Sequence, residues 1–312
     1  MKRKIKIAVI DSGFDFYHPL VNRIADYKCF CKGFYKDDCG HGTSVVRVID
    51  GKCRDCEFYI LKVLDSQVNS DFQCLQAALR YAINKNVDII NASLGVESAQ
   101  YQKEIDEICI AAYQKNIILA NTQSNGGNRN YLFEHNKVLK VVGGKNIRED
   151  KLYYKDNVYY VLGMARMIPW LEGHYIIKGG NSFSLPLIIP YVVKALRSGC
   201  KGLENVHFFL QKMALQIDDV RAFYEYPVVE KENPIDTSVY NNVRDYLKSH
   251  DLIVKGNVIS DNVYVLYRIE EILQDLQKIF QCSLPCETFQ YPDWCYVENL
   301  SNKINQILCE RR

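Results

Sequence analysis

The chain has 312 residues, enough for one large domain or for a medium domain with an appendage. Apolar residues make up 48% and charged residues 24%, so a sizeable core can be buried under an ordinary surface. The net charge of +2 gives no electrostatic ground for a nucleic-acid or anionic-membrane partner, and no apolar run approaches the roughly 20 residues that span a bilayer.

The first residues, MKRKIKIAVIDSG, start like the basic end of an export signal. The apolar stretch Ile7 to Ile10 is too short for such a signal, and Asp11 interrupts it. The expectation is a cytoplasmic protein. Twelve cysteines then read as reduced thiols, several of them small buried apolar groups. Cys29-x-Cys31 and Cys53-x-x-Cys56 are the pairs to test for zinc. The first is spaced by one residue rather than two, so the reading is unlinked thiols with no metal and no cofactor.

Residues 5–10 form a near-continuous apolar run, as a buried parallel strand does. Residues 58–64 form a second. A helix follows, capped by Ser70 or Asp71, with Leu75, Ala78, Leu79, Ala82 and Ile83 at helical spacing. A strand over 87–90, a helix marked by Ile105, Ile108, Cys109 and Ala112, and strands over 117–120 and 138–142 come next. Such alternation predicts an α/β fold with a parallel sheet covered by helices on both faces. Working residues then belong at the carboxyl ends of the strands, where Asp11, Asn91, Ser93 and Asn121 to Asn125 fall. A helix over 203–215 ends this pattern. An irregular polar stretch with Pro227 and Pro234 marks a linker, residues 218–236. Residues 237–312 read as a small α(+β) appendage: a helix over 239–249, a hairpin within 252–266, an amphipathic helix through Ile269, Ile272, Leu273, Leu276 and Ile279, and a last helix near 297–309.

Three segments carry chemistry: AVIDSGFDFYHP (8–19), CGHGTSVV (39–46) and GGNSFSLP (179–186). Alone, each is ordinary: a turn, a loop, a helix N-cap. Together they supply Asp, His and Ser in one of the known chain orders of a nucleophilic triad. Asp37 and Asp38 read as solvated loop charges, and His135, His174, His207 and His250 show no ligand spacing.

The chain resembles the subtilisin family of serine peptidases. Asp11-Ser12-Gly13, His41-Gly42-Thr43 and Gly180-Asn181-Ser182-Phe183-Ser184-Leu185-Pro186 match its three motifs, in order. The resemblance covers about residues 4–217 and implies a subtilisin-like domain over 1–217. It implies a triad of Asp11, His41 and Ser182, with Asn125 as oxyanion donor. Ser93, Leu94 and Gly95 would pair with the substrate backbone, and Thr122, Gln123 and Ser124 would wall the pocket for the residue before the cleaved bond. Asn181 and Phe183 depart from the family's usual Thr and Met, Tyr131-Leu132 from a common Tyr-Pro, and the family's calcium loops are not recognisable.

The resemblance implies an endopeptidase acting on a peptide or protein substrate through an acyl-enzyme. The missing export signal, pro-segment and calcium loops point to restricted processing, for example leader removal from a ribosomally made peptide. Residues 237–312 would choose the substrate or bind a partner. Two other uses stay open: an inactive subtilisin-fold peptide binder, and an acyl transferase or ligase working through the same acyl-enzyme.

Overall fold

The computed structural model describes residues 3–32, 36–144, 147–148, 150–223, 236–259, 268–289, 291–294 and 296–310. It divides into two units. One comprises Met1–Met164, Trp170–Gly173 and Gly179–Glu225; the other comprises Ala165–Pro169, His174–Lys178 and Tyr226–Arg312.

In the first unit the chain order is β1 (Ile5–Asp11), β2 (Ile24–Cys29), α1 (His41–Lys52), β3 (Cys56–Lys62), α2 (Phe72–Asn84), β4 (Ile89–Ala92) and α3 (Gln102–Gln114). It continues with β5 (Ile118–Thr122), α4 (Tyr131–Glu134), β6 (Leu139–Gly144), β7 (Tyr153–Lys155) and β8 (Val158–Leu162). Strands β9 (Arg166–Pro169) and β10 (Tyr175–Lys178) follow and belong to the second unit. Then α5 (Asn181–Arg197), α6 (Gly202–Met213) and β11 (Leu215–Gln216) return to the first.

One nine-stranded sheet runs β11-β7-β8-β6-β5-β4-β1-β3-β2. Its pairs are parallel except β7 with β8. Parallel strands are buried on both faces, which is why residues 5–10 read as a near-continuous apolar run. Successive side chains of β1 point to opposite faces. Ala8 and Ile10 enter the core that α2 and α3 cover, while α1 and α5 pack together on helix faces that also meet β1, β4, β5 and β6. Helix α2 buries the five predicted residues Leu75, Ala78, Leu79, Ala82 and Ile83. Asp71 caps it, accepting from Cys74 N at 2.7 Å. Leu79→Ala would cost about 2–5 kcal/mol through lost burial and the cavity left behind.

Chain order jumps at β1, which lies between β3 and β4. In an open α/β sheet the carboxyl ends beside such a jump form the crevice where ligands bind. Asp11, the last residue of β1, stands there.

The second unit has its own core. After β9 and β10, which pair antiparallel, come α7 (Thr237–Ser249), β12 (Ile253–Lys255), β13 (Val258–Ile259), α8 (Arg268–Phe280) and α9 (Val297–Cys309). Val243, Leu247, Ile272, Leu276, Phe289, Trp294, Leu300 and Ile304 bury one cluster. Asp236 caps α7 through Ser238 N at 2.8 Å. Residues 252–259 form the short antiparallel pair expected of a hairpin; its continuation over 260–266 and most of the 218–236 stretch lie outside the described residues.

Candidate functional site

The Asp11 carboxylate is fully buried, while 14% of the His41 side chain is exposed. Asp11 Oδ1 lies 2.7 Å from His41 Nδ1 and also accepts from Ser12 N at 2.7 Å. His41 is the first residue of α1, after Gly40 at φ 81°. That left-handed backbone suits glycine. A Cβ there would also stand 2.3 Å from the Trp170 indole. Gly42 is equally constrained, since its Cβ would meet Gly13 O at 2.4 Å. The glycines flanking His41 let α1 start directly against β1.

The structure overturns one reading of the sequence. Asp37 is not a solvated loop charge; it is 4% exposed. Its Oδ1 accepts from Ser12 Oγ at 2.9 Å, Cys39 N at 3.1 Å and Gly40 N at 2.9 Å. Its Oδ2 accepts from Thr43 N at 2.8 Å and Thr43 Oγ1 at 2.6 Å. Beneath it, Lys62 is buried at the end of β3 and donates to Ser12 O at 2.7 Å and Lys36 O at 3.0 Å. Asp38 Oδ2 is 3.7 Å from the same ammonium. A charge at a strand end or in a loop looks like a surface residue in sequence, so nothing in the pattern marked Lys62 or Asp37.

Ser182 is the second residue of α5, after Gly180 at φ 109°. The first N–H groups of a helix have no carbonyl four residues back. Asn181 N is satisfied by Asn125 Oδ1 at 2.9 Å, which turns the Asn125 amide so that Nδ2 is left to donate elsewhere. The Asn181 side chain accepts from Gly143 N at 2.9 Å and donates to Gln123 O at 3.0 Å. It thus ties the start of α5 to the ends of β5 and β6. Phe183 sits with its ring centroid 4.6 Å from that of His41, and Ser93 Oγ donates to Ser182 O at 3.3 Å. Asp11, His41, Ser182, Asn125 and Ser93 therefore gather at one end of the sheet.

The segment after β4 is held open by asparagines. Asn121 Nδ2 donates to Ala92 O at 2.6 Å and Leu94 O at 2.9 Å. Asn130 donates to Asn121 Oδ1 and Thr122 O, both at 2.9 Å, and accepts from Val96 N at 3.0 Å. Asn130 is buried and was not singled out in the sequence. A cavity of about 260 Å³ adjoins Leu94 and Gly95, floored by Phe72, Leu75, Val96 and Tyr101; the Phe72 and Tyr101 rings stack with centroids 4.0 Å apart. Thr122 is buried with its Oγ1 on Val141 O at 2.7 Å, so it presents no hydroxyl to a ligand. Gln123 and Ser124 follow it on the loop that leads to Asn125.

Among the described residues, no group of three or more His, Cys, Asp or Glu is arranged to hold a metal ion. Cys29 and Cys31 place their Sγ atoms 3.8 Å apart. Burial pushes the Cys31 and Cys74 thiols up to about 11 and Cys109 up to about 12. Among the described residues, no helix is long and apolar enough to cross a membrane.

Known proteins share parts of this sequence and its fold. The sequence profile of the subtilase family matches residues 2–142. The chain is 32% identical over 151 residues to the minor extracellular protease Epr of Bacillus subtilis, covering 45% of this chain and 23% of that protein. It is 34% identical over 109 residues to an intracellular serine protease of Paenibacillus polymyxa, covering 30% and 33% respectively. It thus spans a quarter to a third of these relatives' length. A solved lanthipeptide protease shares the fold with a TM-score of 0.58 at 18% identity, over 71% of this chain and 84% of that one. Over residues 2–142 the chain is thus similar to the subtilase family, and its α/β fold is shared with the lanthipeptide protease.

Proposed function

We propose that this protein is a serine endopeptidase using Asp11, His41 and Ser182. The observation that carries the reading is the 2.7 Å pairing of buried Asp11 with His41 Nδ1, on a helix packed against the one that carries Ser182 in its first turn. A serine hydroxyl is a weak nucleophile and needs an adjacent base. His41 takes the Ser182 proton as Oγ attacks the scissile carbonyl, then returns it to the leaving amine. Asp11 fixes the tautomer with the proton on Nδ1 and stabilises the imidazolium. Asn125 Nδ2 and the Ser182 N–H receive the developing oxyanion. The acyl-enzyme is then released by water.

Ser93, Leu94 and Gly95 take the substrate backbone in this reading, and the adjoining cavity takes an apolar side chain. Gln123 and Ser124 wall the position before the cleaved bond. The substrate is a precursor peptide processed in the cytoplasm. The intracellular relative and the lanthipeptide protease neighbour support that choice. Residues 237–312 select the precursor and do no chemistry, since every motif of the triad precedes them.

The test is mass spectrometry of a precursor-peptide panel with wild type and Ser182→Ala. One internal cut, absent in the variant, is the expected result. Unchanged peptides with wild type would sink the peptidase reading; products carrying an added amine in place of water would move it to a transferase. Ending the chain near residue 220 should preserve cutting of short peptides and reduce cutting of the full precursor. An equal loss on both would remove the selection role.

A further inference from the structure

We propose that Asp37 is the positioning residue that sets the basicity of His41, by placing a buried negative charge at the N-terminus of α1. His41 occupies the first position of a 12-residue helix. The unpaired N–H groups at such an end carry partial positive charge, which disfavours an imidazolium. A base that must hold a proton during acylation is poorly served there.

Asp37 lies four residues before His41 and answers this field directly. All five hydrogen bonds at its carboxylate are donations to it: Ser12 Oγ, Cys39 N, Gly40 N, Thr43 N and Thr43 Oγ1. An acceptor-only set of contacts is the one that suits a carboxylate. Two of those donors, Gly40 N and Thr43 N, belong to the cap and first turn of α1 itself. The Ser12 hydroxyl that donates to Asp37 accepts from Gly42 N at 2.8 Å. One carboxylate thereby fastens the residue beside Asp11 to the turn that carries His41, and neutralises the helix end. The other charged or titratable groups nearby include Asp11 at the end of β1, Asp15 after it, Lys36, Asp38 and Cys39 in the loop, Lys62 on β3, Arg47 on α1 and Glu172. Of the loop acids, Asp37 is the one bonded to the α1 first turn.

The proposal rests on the triad reading for its kinetic consequence, but its electrostatic core is measurable without any peptidase activity. The experiment is an NMR pH titration of the His41 imidazole, assigned with His41→Gln, in wild type, Asp37→Asn, Asp37→Ser and Thr43→Val. Charges at helix ends shift a pKa by about 0.2 to 1.5 units. The two neutral variants should lower the His41 pKa by about 0.5–1 unit, and Thr43→Val, which keeps the charge while dropping one bond to it, should leave it in place. In the neutral variants the acid limb of kcat/KM should move down by the same amount, with KM little changed. An unchanged His41 pKa in Asp37→Asn would overturn the proposal, as would an equal fall in Thr43→Val. Failure of both neutral variants to fold would also overturn it, by reducing Asp37 to a structural tie. Loss of peptide cleavage in wild type with the predicted titration would instead remove the triad reading and leave the electrostatic role standing.

Discussion

Asp11 Oδ1 stands 2.7 Å from His41 Nδ1, and the two residues come from the end of one strand and the start of the next helix. Asp11→Asn keeps the shape but can donate to Nδ1, which stabilises the wrong tautomer for a base. Peptide cleavage should fall in kcat by about 10⁴, the magnitude known for this change in a serine peptidase triad, with KM little altered. Steady-state kinetics on one peptide checks this. A fall confined to KM would show that Asp11 binds substrate instead.

Asn125 is aimed by the Asn181 N–H on its Oδ1. Asn125→Ala should lower kcat by about 10²–10³, a magnitude established on subtilisin rather than derived from this structure. Asn125→Asp should do little better, because the donor is gone and a charge faces the oxyanion. Equal kcat in wild type and Asn125→Ala would remove Asn125 from the site.

His207 is held below its ordinary value, chiefly by burial, with Glu204 opposing; its Nδ1 is 3.0 Å from the Tyr159 hydroxyl. Burial likewise lowers His18 and His135. The unfolded chain then binds these protons more readily than the folded one, so stability rises with pH across this window. It is fully present above the ordinary histidine value of about 6.5 and is lost as pH falls through the lowered folded values. Urea midpoints measured from pH 7.5 down to 5.0 should decline, and His207→Gln should flatten that slope. A midpoint that climbs toward acid would contradict the burial argument.

The strands and helices with one strong period were legible in the sequence. β1 showed as an apolar run, α2 and α8 as helical stripes. β2 was missed because IADYKC is only partly buried at the sheet edge and carries Asp and Lys. α1 was hidden because Gly42, Thr43 and Ser44 are weak helix formers; here their small size is used for close packing against β1. The residues of the proposed triad could be put forward from the sequence because that chemistry demands specific types beside glycine. Their supports could not. Asp37, Lys62 and Asn130 become meaningful only when distant segments meet, and charge or amide in a loop looks solvated until the fold buries it. Asp15 is a similar case, accepting from Glu172 N at 3.1 Å across 157 residues.

The central claim is that Ser182 is a nucleophile activated by His41, and covalent labelling by a fluorophosphonate tests it most directly. The reagent should add once to the wild-type chain, and peptide mapping should place it on Ser182. His41→Ala should slow the labelling by several orders of magnitude, and Ser182→Ala should abolish it while the protein stays folded. Labelling that persists in Ser182→Ala, or that proceeds at the wild-type rate without His41, would contradict the account.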